Sequence, residues 1–216
     1  MGTSGNQGSL FGVPDGIEPD EPVDPWYIER GFRLIAGVDE AGRGALAGPV
    51  CAAAVILGDA RIDGLNDSKK LKPDVRVRLT EEIWMKARGV GVAMVGPAMI
   101  DSINILRAAM EAMRLAVRML PISPEIVLVD GNQLPSGIDN GVAIVKGDTK
   151  SQAIMAAGII AKVTRDAYMI RAARQFPDFM FEVHKGYAVR AHFNALEKHG
   201  PTDIHRLSFE PCGRFL

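Results

Sequence analysis

Between Ile35 and Val50 an apolar run climbs to two adjacent acids and then breaks on glycine, I-A-G-V-D-E-A-G-R-G-A-L-A-G-P-V. A short apolar run bounded by a glycine turn reads as a buried strand. Neighbouring side chains on a strand point to opposite faces, so paired acids such as Asp39 and Glu40 are ordinarily a solvated rim. Here they end a buried strand beside the flexible turn Gly42-Arg43-Gly44. Carboxylates next to exposed backbone N–H groups suit a metal ion and a phosphate together.

The same device recurs twice. Ile126 to Asp130 is a short apolar run ending in an acid, and Val142 to Lys146 delivers Asp148 just beyond its end. If these strands neighbour the first, Asp39, Glu40, Asp130 and Asp148 converge, and like charges so close require a cation between them. Oxygen ligands without organised His or Cys select hard ions, Mg²⁺ or Mn²⁺. Two such ions can stabilise both the attacking and the leaving oxygen of a phosphoryl displacement. Any one of these acids alone would be read as a strand-end turn residue.

Further elements follow from local patterns. Strands are expected at Arg33–Asp39, Gly48–Leu57 and Gly89–Val95. Pro73 opens a helix to about Ala87, proline being favoured in a first helical turn. Pro97 opens a long helix to about Leu120, with Ile103, Leu106, Met110, Met113, Val117 and Leu120 as its buried face. Arg107, Arg114 and Arg118 lie off that stripe and read as a solvated face. Helices over Ser151 to Arg174 and Arg190 to His199 complete an α/β layered domain.

Six motifs beyond the opening one occur in order: N-D-S-K-K-L (Asn66–Leu71), I-V-L-V-D-G (Ile126–Gly131), V-K-G-D (Val145–Asp148), A-K-V-T-R-D (Ala161–Asp166), H-K-G-Y (His184–Tyr187) and K-H-G-P-T-D-I-H-R (Lys198–Arg206). Together with D-E-A-G-R-G, they closely resemble the ribonuclease HII family over roughly residues 31 to 210. The resemblance implies a ribonuclease H-like fold, a five-stranded mixed sheet between helices with a helical C-terminal part closing over the site. It implies a monomeric endoribonuclease that cuts RNA in RNA–DNA hybrids and at single ribonucleotides within duplex DNA. Cleavage falls on the 5′ side of the ribonucleotide and gives 3′-hydroxyl and 5′-phosphate ends. It places metal on Asp39, Glu40, Asp130 and Asp148. Asp166 competes for the fourth place, and Asp148 is preferred because it follows a strand as the others do.

By the same resemblance Gly42, Arg43 and Gly44 contact the ribose 2′-hydroxyl and Tyr187 packs on the neighbouring sugar. Ser68, Lys69 and Lys162 match positions near phosphates, each of which otherwise reads as solvated. The chain departs from the family at Ala188-Val189, where G-Y-G-T is common, and at Gly158, where serine is frequent. Both departures imply a lost phosphate contact. All four histidines lie between His184 and His205 in no zinc-like spacing and read as solvated or hydrogen-bonded.

Charge is uneven along the chain. Residues 1 to 30 hold six acids against one base, and the remainder carries four more bases than acids. The first 25 residues, rich in Gly, Pro and acids, read as a disordered tail preceding a catalytic domain over 26–216. Within the tail, Gln7-Gly8-Ser9-Leu10-Phe11 resembles peptides that bind bacterial sliding clamps, through Gln7, Leu10 and Phe11. No apolar run is long enough to span a bilayer, and no signal peptide or C-x-x-C pair is present, which points to a reduced cytoplasmic protein. A clamp-associated duplex-binding module without catalysis would lack one of the strand-end acids. A glycine-loop nucleotide binder would need a Walker A or G-x-G-x-x-G pattern, and neither occurs.

Overall fold

A strand with no charged residue lies near the middle of the sheet. Val50–Ile56, V-C-A-A-A-V-I, is buried at every position, as a strand covered by helices on both faces must be. The computed structural model describes residues 22–215. In chain order the elements are α1 (Asp24–Glu29), β1 (Ile35–Ala41), β2 (Val50–Ile56), α2 (Pro73–Lys86), β3 (Gly89–Val95), α3 (Pro97–Ile103), α4 (Ile105–Arg118), β4 (Ile126–Asp130), β5 (Gly141–Ile144), α5 (Gln152–Gln175), α6 (Phe181–His184) and α7 (Arg190–His199). The sheet order is β3-β2-β1-β4-β5. β1 pairs antiparallel with β2 and β2 with β3, while β1–β4 and β4–β5 are parallel. This is the mixed five-stranded sheet of a ribonuclease H-like fold.

Side-chain alternation sorts the two faces. Val38, Ala52, Ala54 and Val129 pack with α4, whereas Cys51, Ala53 and Val55 pack with α2 and α5, and Ile35 and Leu128 with Ile154 of α5. Alanines supply much of this contact, which lets the helices lie close to the sheet. A further cluster joins the loop after β1 to the C-terminal part: Leu46 and Ala47 meet Met169, Phe179, Phe181 and Leu196. That cluster holds the helical C-terminal part beside the sheet end carrying the acids.

Two expectations are corrected. The single helix from Pro97 to Leu120 is two helices, because Asn104 takes a left-handed φ of 68° and its side chain accepts the Arg107 N–H, capping α4. The break resets the buried face to Ala108, Ala109, Ala112, Met113 and Ala116, and Leu106 is exposed. Asp101, in α3, accepts the Leu207 and Ser208 N–H groups and ties down the C-terminal segment. At the other end, the ordered fold begins before residue 26. Val23 is buried, and Asp24 accepts hydrogen bonds from Ser151 Oγ (2.7 Å) and Gln152 N (2.6 Å), reinforcing the α5 N-cap. The clamp-like segment Gln7 to Phe11 lies outside the described residues.

Candidate active site

β1 runs three residues past Val38, to Ala41, so Asp39 and Glu40 lie within the strand, paired with Ala53 and Ala52 of β2. Val38 opposes Val129 across β1 and β4, which makes Asp39 and Asp130 the next neighbours on the α5 face. Glu40 alternates to the other face. Asp148 sits in the 3₁₀ turn Gly147–Thr149 after β5, and its N–H donates to Asp130 Oδ1 (3.2 Å). The Glu40 N–H donates to Asp39 Oδ1 (2.7 Å). Two cations reach the rim: Lys69 Nζ is 3.6 Å from Asp148 Oδ2, and Arg43 Nη1 is 3.2 Å from Glu40 Oε1.

Burial pushes the Asp39 carboxyl well above the usual carboxylate range, and the charges of Glu40 and Asp130 push it further. Glu40 is raised by burial against the pull of Arg43, and Asp130 by burial and then by Asp148. Such a cluster holds unfavourable charge that a cation would relieve. Among the described residues no group of three or more acid, His or Cys side chains is gathered as a ready-made metal cage. The donor set is nonetheless oxygen-only and mutually repulsive, which fits Mg²⁺ or Mn²⁺. Asp166 stands apart on α5, bonded to Lys162 Nζ at 2.8 Å.

The glycine turn beside these acids is held from behind by two fully buried arginines. Arg206 donates to the carbonyls of Gly42 (2.7 Å), Arg43 (2.8 Å) and Gly48 (3.0 Å). Arg165 donates to those of Ala47 (3.0 Å), Pro49 (2.9 Å) and Lys185 (3.1 Å). Neither forms a salt bridge among the described residues. Burial lowers both, Arg206 to about 9 with Arg165 adding repulsion. Gly42 has a φ of 96°, and any side chain there would run into the Arg165 guanidinium. Sequence reasoning quoted both arginines inside motifs and assigned them nothing. The available signal was the row Ala157, Ala161, Arg165, Met169, which places a charge on the buried stripe of α5.

The C-terminal part threads against this turn. Leu46 N donates to Gly186 O and Gly48 N to Ile204 O, and Ala45 bridges Tyr187. The half-buried Tyr187 ring has Arg165 Cζ 5.2 Å and Lys162 Nζ 5.4 Å from its centroid. Ser68 and Lys69 lie on the loop after β2, whose carbonyls at Ser68 and Leu71 accept from Arg76 of α2. A cavity of about 530 Å³ runs beside Tyr187 between Arg76, Lys162, Asp166 and Lys185. Val189 is the N-cap residue of α7 and is exposed. Gly158 faces Asp39, and a side chain there would strike the Asp39 carboxylate. The position expected to forfeit a phosphate contact therefore borders the acid cluster, beside Asp39.

The profile of the ribonuclease HII family matches residues 36–212. The ribonuclease HII of Agrobacterium fabrum is 52% identical over 208 residues, covering 95% of each chain. That of Caldicellulosiruptor bescii is 50% identical over 188 residues, covering 87% of this chain and 91% of its own. The ribonuclease HII solved in complex with PCNA from Archaeoglobus fulgidus superposes with a TM-score of 0.69 at 29% identity, covering 82% of this chain and 95% of that one. Among the described residues no helix is long and apolar enough to cross a membrane.

Proposed function

Because the chain belongs to the ribonuclease HII family, the type 2 ribonuclease H endonucleases, we propose that it hydrolyses RNA–DNA hybrids and also duplex DNA at a single embedded ribonucleotide. The observation that carries the reading is the adjacency of Asp39 and Asp130 on β1 and β4 beside a glycine turn clamped by Arg165 and Arg206. Acids that repel one another and a rigid turn whose glycines leave its backbone open together suit a phosphodiester next to a ribose.

Asp39, Glu40, Asp130 and Asp148 would hold Mg²⁺ or Mn²⁺. When bound, such an ion supplies charge neutralisation at the scissile phosphate. Water adds to the phosphorus on the 5′ side of the ribonucleotide, and the bond to the preceding 3′ oxygen breaks. The products are a 3′-hydroxyl and a 5′-phosphate. The turn Gly42-Arg43-Gly44 offers backbone groups to the 2′-hydroxyl, the group that separates RNA from DNA. Tyr187 packs against the following sugar, and Ser68, Lys69 and Lys162 face the phosphates. A site built around a polar contact rejects the analogue lacking it, because its own groups are left unpaired. A duplex with one ribonucleotide should therefore be cut with Mg²⁺ and spared without it, and an all-DNA duplex should be inert. Cleavage of the all-DNA duplex would refute the reading.

The segment Gln7 to Phe11 extends this proposal to a sliding clamp, with Leu10 and Phe11 as apolar anchors. A labelled peptide of residues 1 to 15 should bind the cognate clamp, and Leu10→Ala with Phe11→Ala should remove that binding. Silence at high micromolar clamp would discard the idea.

A further inference from the structure

Three histidines near Tyr187 take no part in the chemistry above, yet their ring nitrogens are all engaged. His205 and His192 are 2% and 0% exposed. The Thr202 N–H donates to His205 Nδ1 at 2.8 Å. A backbone N–H can only donate, so Nδ1 is the bare nitrogen and the neutral ring carries its proton on Nε2. That Nε2 lies 2.9 Å from His192 Nε2. Two nitrogens this close share one proton, so His205 donates and His192 accepts. The His192 proton is thereby placed on Nδ1, which lies 2.9 Å from the carbonyl oxygen of Tyr187. Each link fixes the next, and the run from Thr202 to Tyr187 has a single direction.

The surroundings hold the chain in that state. His184 stacks on His192 at 4.7 Å, accepts the Gly186 N–H on Nδ1 and donates from Nε2 to Phe179 O at 2.7 Å. Phe181 presents its ring perpendicular to His192 at 5.5 Å. Burial holds His192 and His205 at about 4, so both are neutral near pH 7. The chain ends on Tyr187, whose neighbour Gly186 accepts the Leu46 N–H and which itself bridges Ala45, one residue past the glycine turn.

We propose that His205 and His192 are positioning residues, a one-way hydrogen-bond relay that sets the Tyr187 main chain and so the angle of its ring over the sugar beside the cleaved ribonucleotide. The inference rests on the sugar-packing role given to Tyr187 above. Its first test does not depend on that role. Long-range ¹H–¹⁵N correlation on the labelled full chain should show the Nε2–H tautomer at His205 and the Nδ1–H tautomer at His192. The reverse assignment at either ring would overturn the relay.

The second test is kinetic. His192→Leu should slow cutting at a lone ribonucleotide on the order of tenfold, as a small misplacement of a contacting group does, and should affect a long hybrid less. In a Tyr187→Ala background the same change should add less than a factor of two, because its route to the substrate is gone. Equal losses with and without Tyr187 would reduce the histidines to packing and overturn the proposal. His192→Asn keeps a donor near the Nδ1 position and should restore most of the lone-ribonucleotide rate. If His192→Leu fails to fold, His192→Asn and His205→Gln are measured on both substrates, each with and without Tyr187→Ala, and any loss should be confined to the background that keeps Tyr187. A loss in either variant that is equally large in a Tyr187→Ala background would overturn the proposal. Should Tyr187→Ala itself leave both substrates unaffected, the sugar-packing role fails, and the tautomers still judge the relay.

Discussion

Replacing Asp39 with Asn should make the metal-free protein more stable while abolishing cleavage. β1 and β4 are parallel with Val38 opposite Val129, so Asp39 and Asp130 stand on the same face of adjacent strands, separated by roughly the 4.8 Å strand spacing. Two unit charges about 5 Å apart at an effective dielectric near 20 repel by about 3 kcal/mol. Lys69 attracts Asp39 and returns part of this, leaving a net gain of about 2 kcal/mol for the neutral amide. The amide oxygen still accepts the Glu40 N–H, so the strand keeps that contact. For a chain of this size the gain corresponds to a Tm rise of about 4–8 °C. The assay is thermal and urea denaturation at pH 8 in chelator, where the carboxyls are most fully charged, followed by titration with Mg²⁺ or Mn²⁺. The parent should gain stability with added ion by mass action, and Asp39→Asn should gain far less. A metal-free variant less stable than the parent, or cleavage retained at saturating Mg²⁺, would refute the reasoning.

Arg206→Met removes the donors from three carbonyls, two of them buried, and should cost about 2 kcal/mol of stability, with a fall in lone-ribonucleotide cleavage of roughly 10²-fold as the turn loosens. Arg206→Lys, with its single point charge, should recover only part of that rate in the same gel assay. Acid should destabilise the fold through His192 and His205, whose folded values of about 4 lie below the unfolded 6.5. Between those limits the unfolded chain binds more protons, so stability is full above about pH 6.5 and falls by up to ~1.4 kcal/mol per histidine for each unit below it. The raised acids Asp39, Glu40 and Asp130 act in the opposite sense. The measurement is therefore the difference in urea stability, from pH 7 to 4.5, between the parent and a His192→Asn, His205→Gln double variant. A difference that does not change with pH would overturn the assignment.

What the sequence discloses depends on how far each feature reaches along the chain. β2 and α7 follow from runs of a few residues, and the acids at 39, 40, 130 and 148 stand out because each ends or follows an apolar strand. The break at Asn104 was missed because apolar spacing continues across it, although an asparagine ahead of I-L-R is a local cap signal. The surroundings of Gly158 are hidden for a different reason: its neighbour Asp39 lies on another element. Arg165 and Arg206 lie further out of reach, since their carbonyl partners are 116 to 164 residues away apart from Lys185. No window along the chain contains both ends of such a contact.

The partners of these arginines also bear on why the acids remain available. A guanidinium paired with Asp39 or Asp130 would satisfy the charge that the proposed metal ion would otherwise meet. Instead Arg165 and Arg206 direct their donors at the carbonyls of residues 42 to 49 and at Lys185. A carbonyl orders a guanidinium without cancelling its charge, so burial lowers the pKa of both arginines. What the fold gains is a turn fixed through its own carbonyls, beside an Asp39–Asp130 pair that neither buried arginine touches. The rigidity of the turn and the charge left on Asp39 and Asp130 therefore come from one choice, two buried arginines bound to backbone rather than to acid.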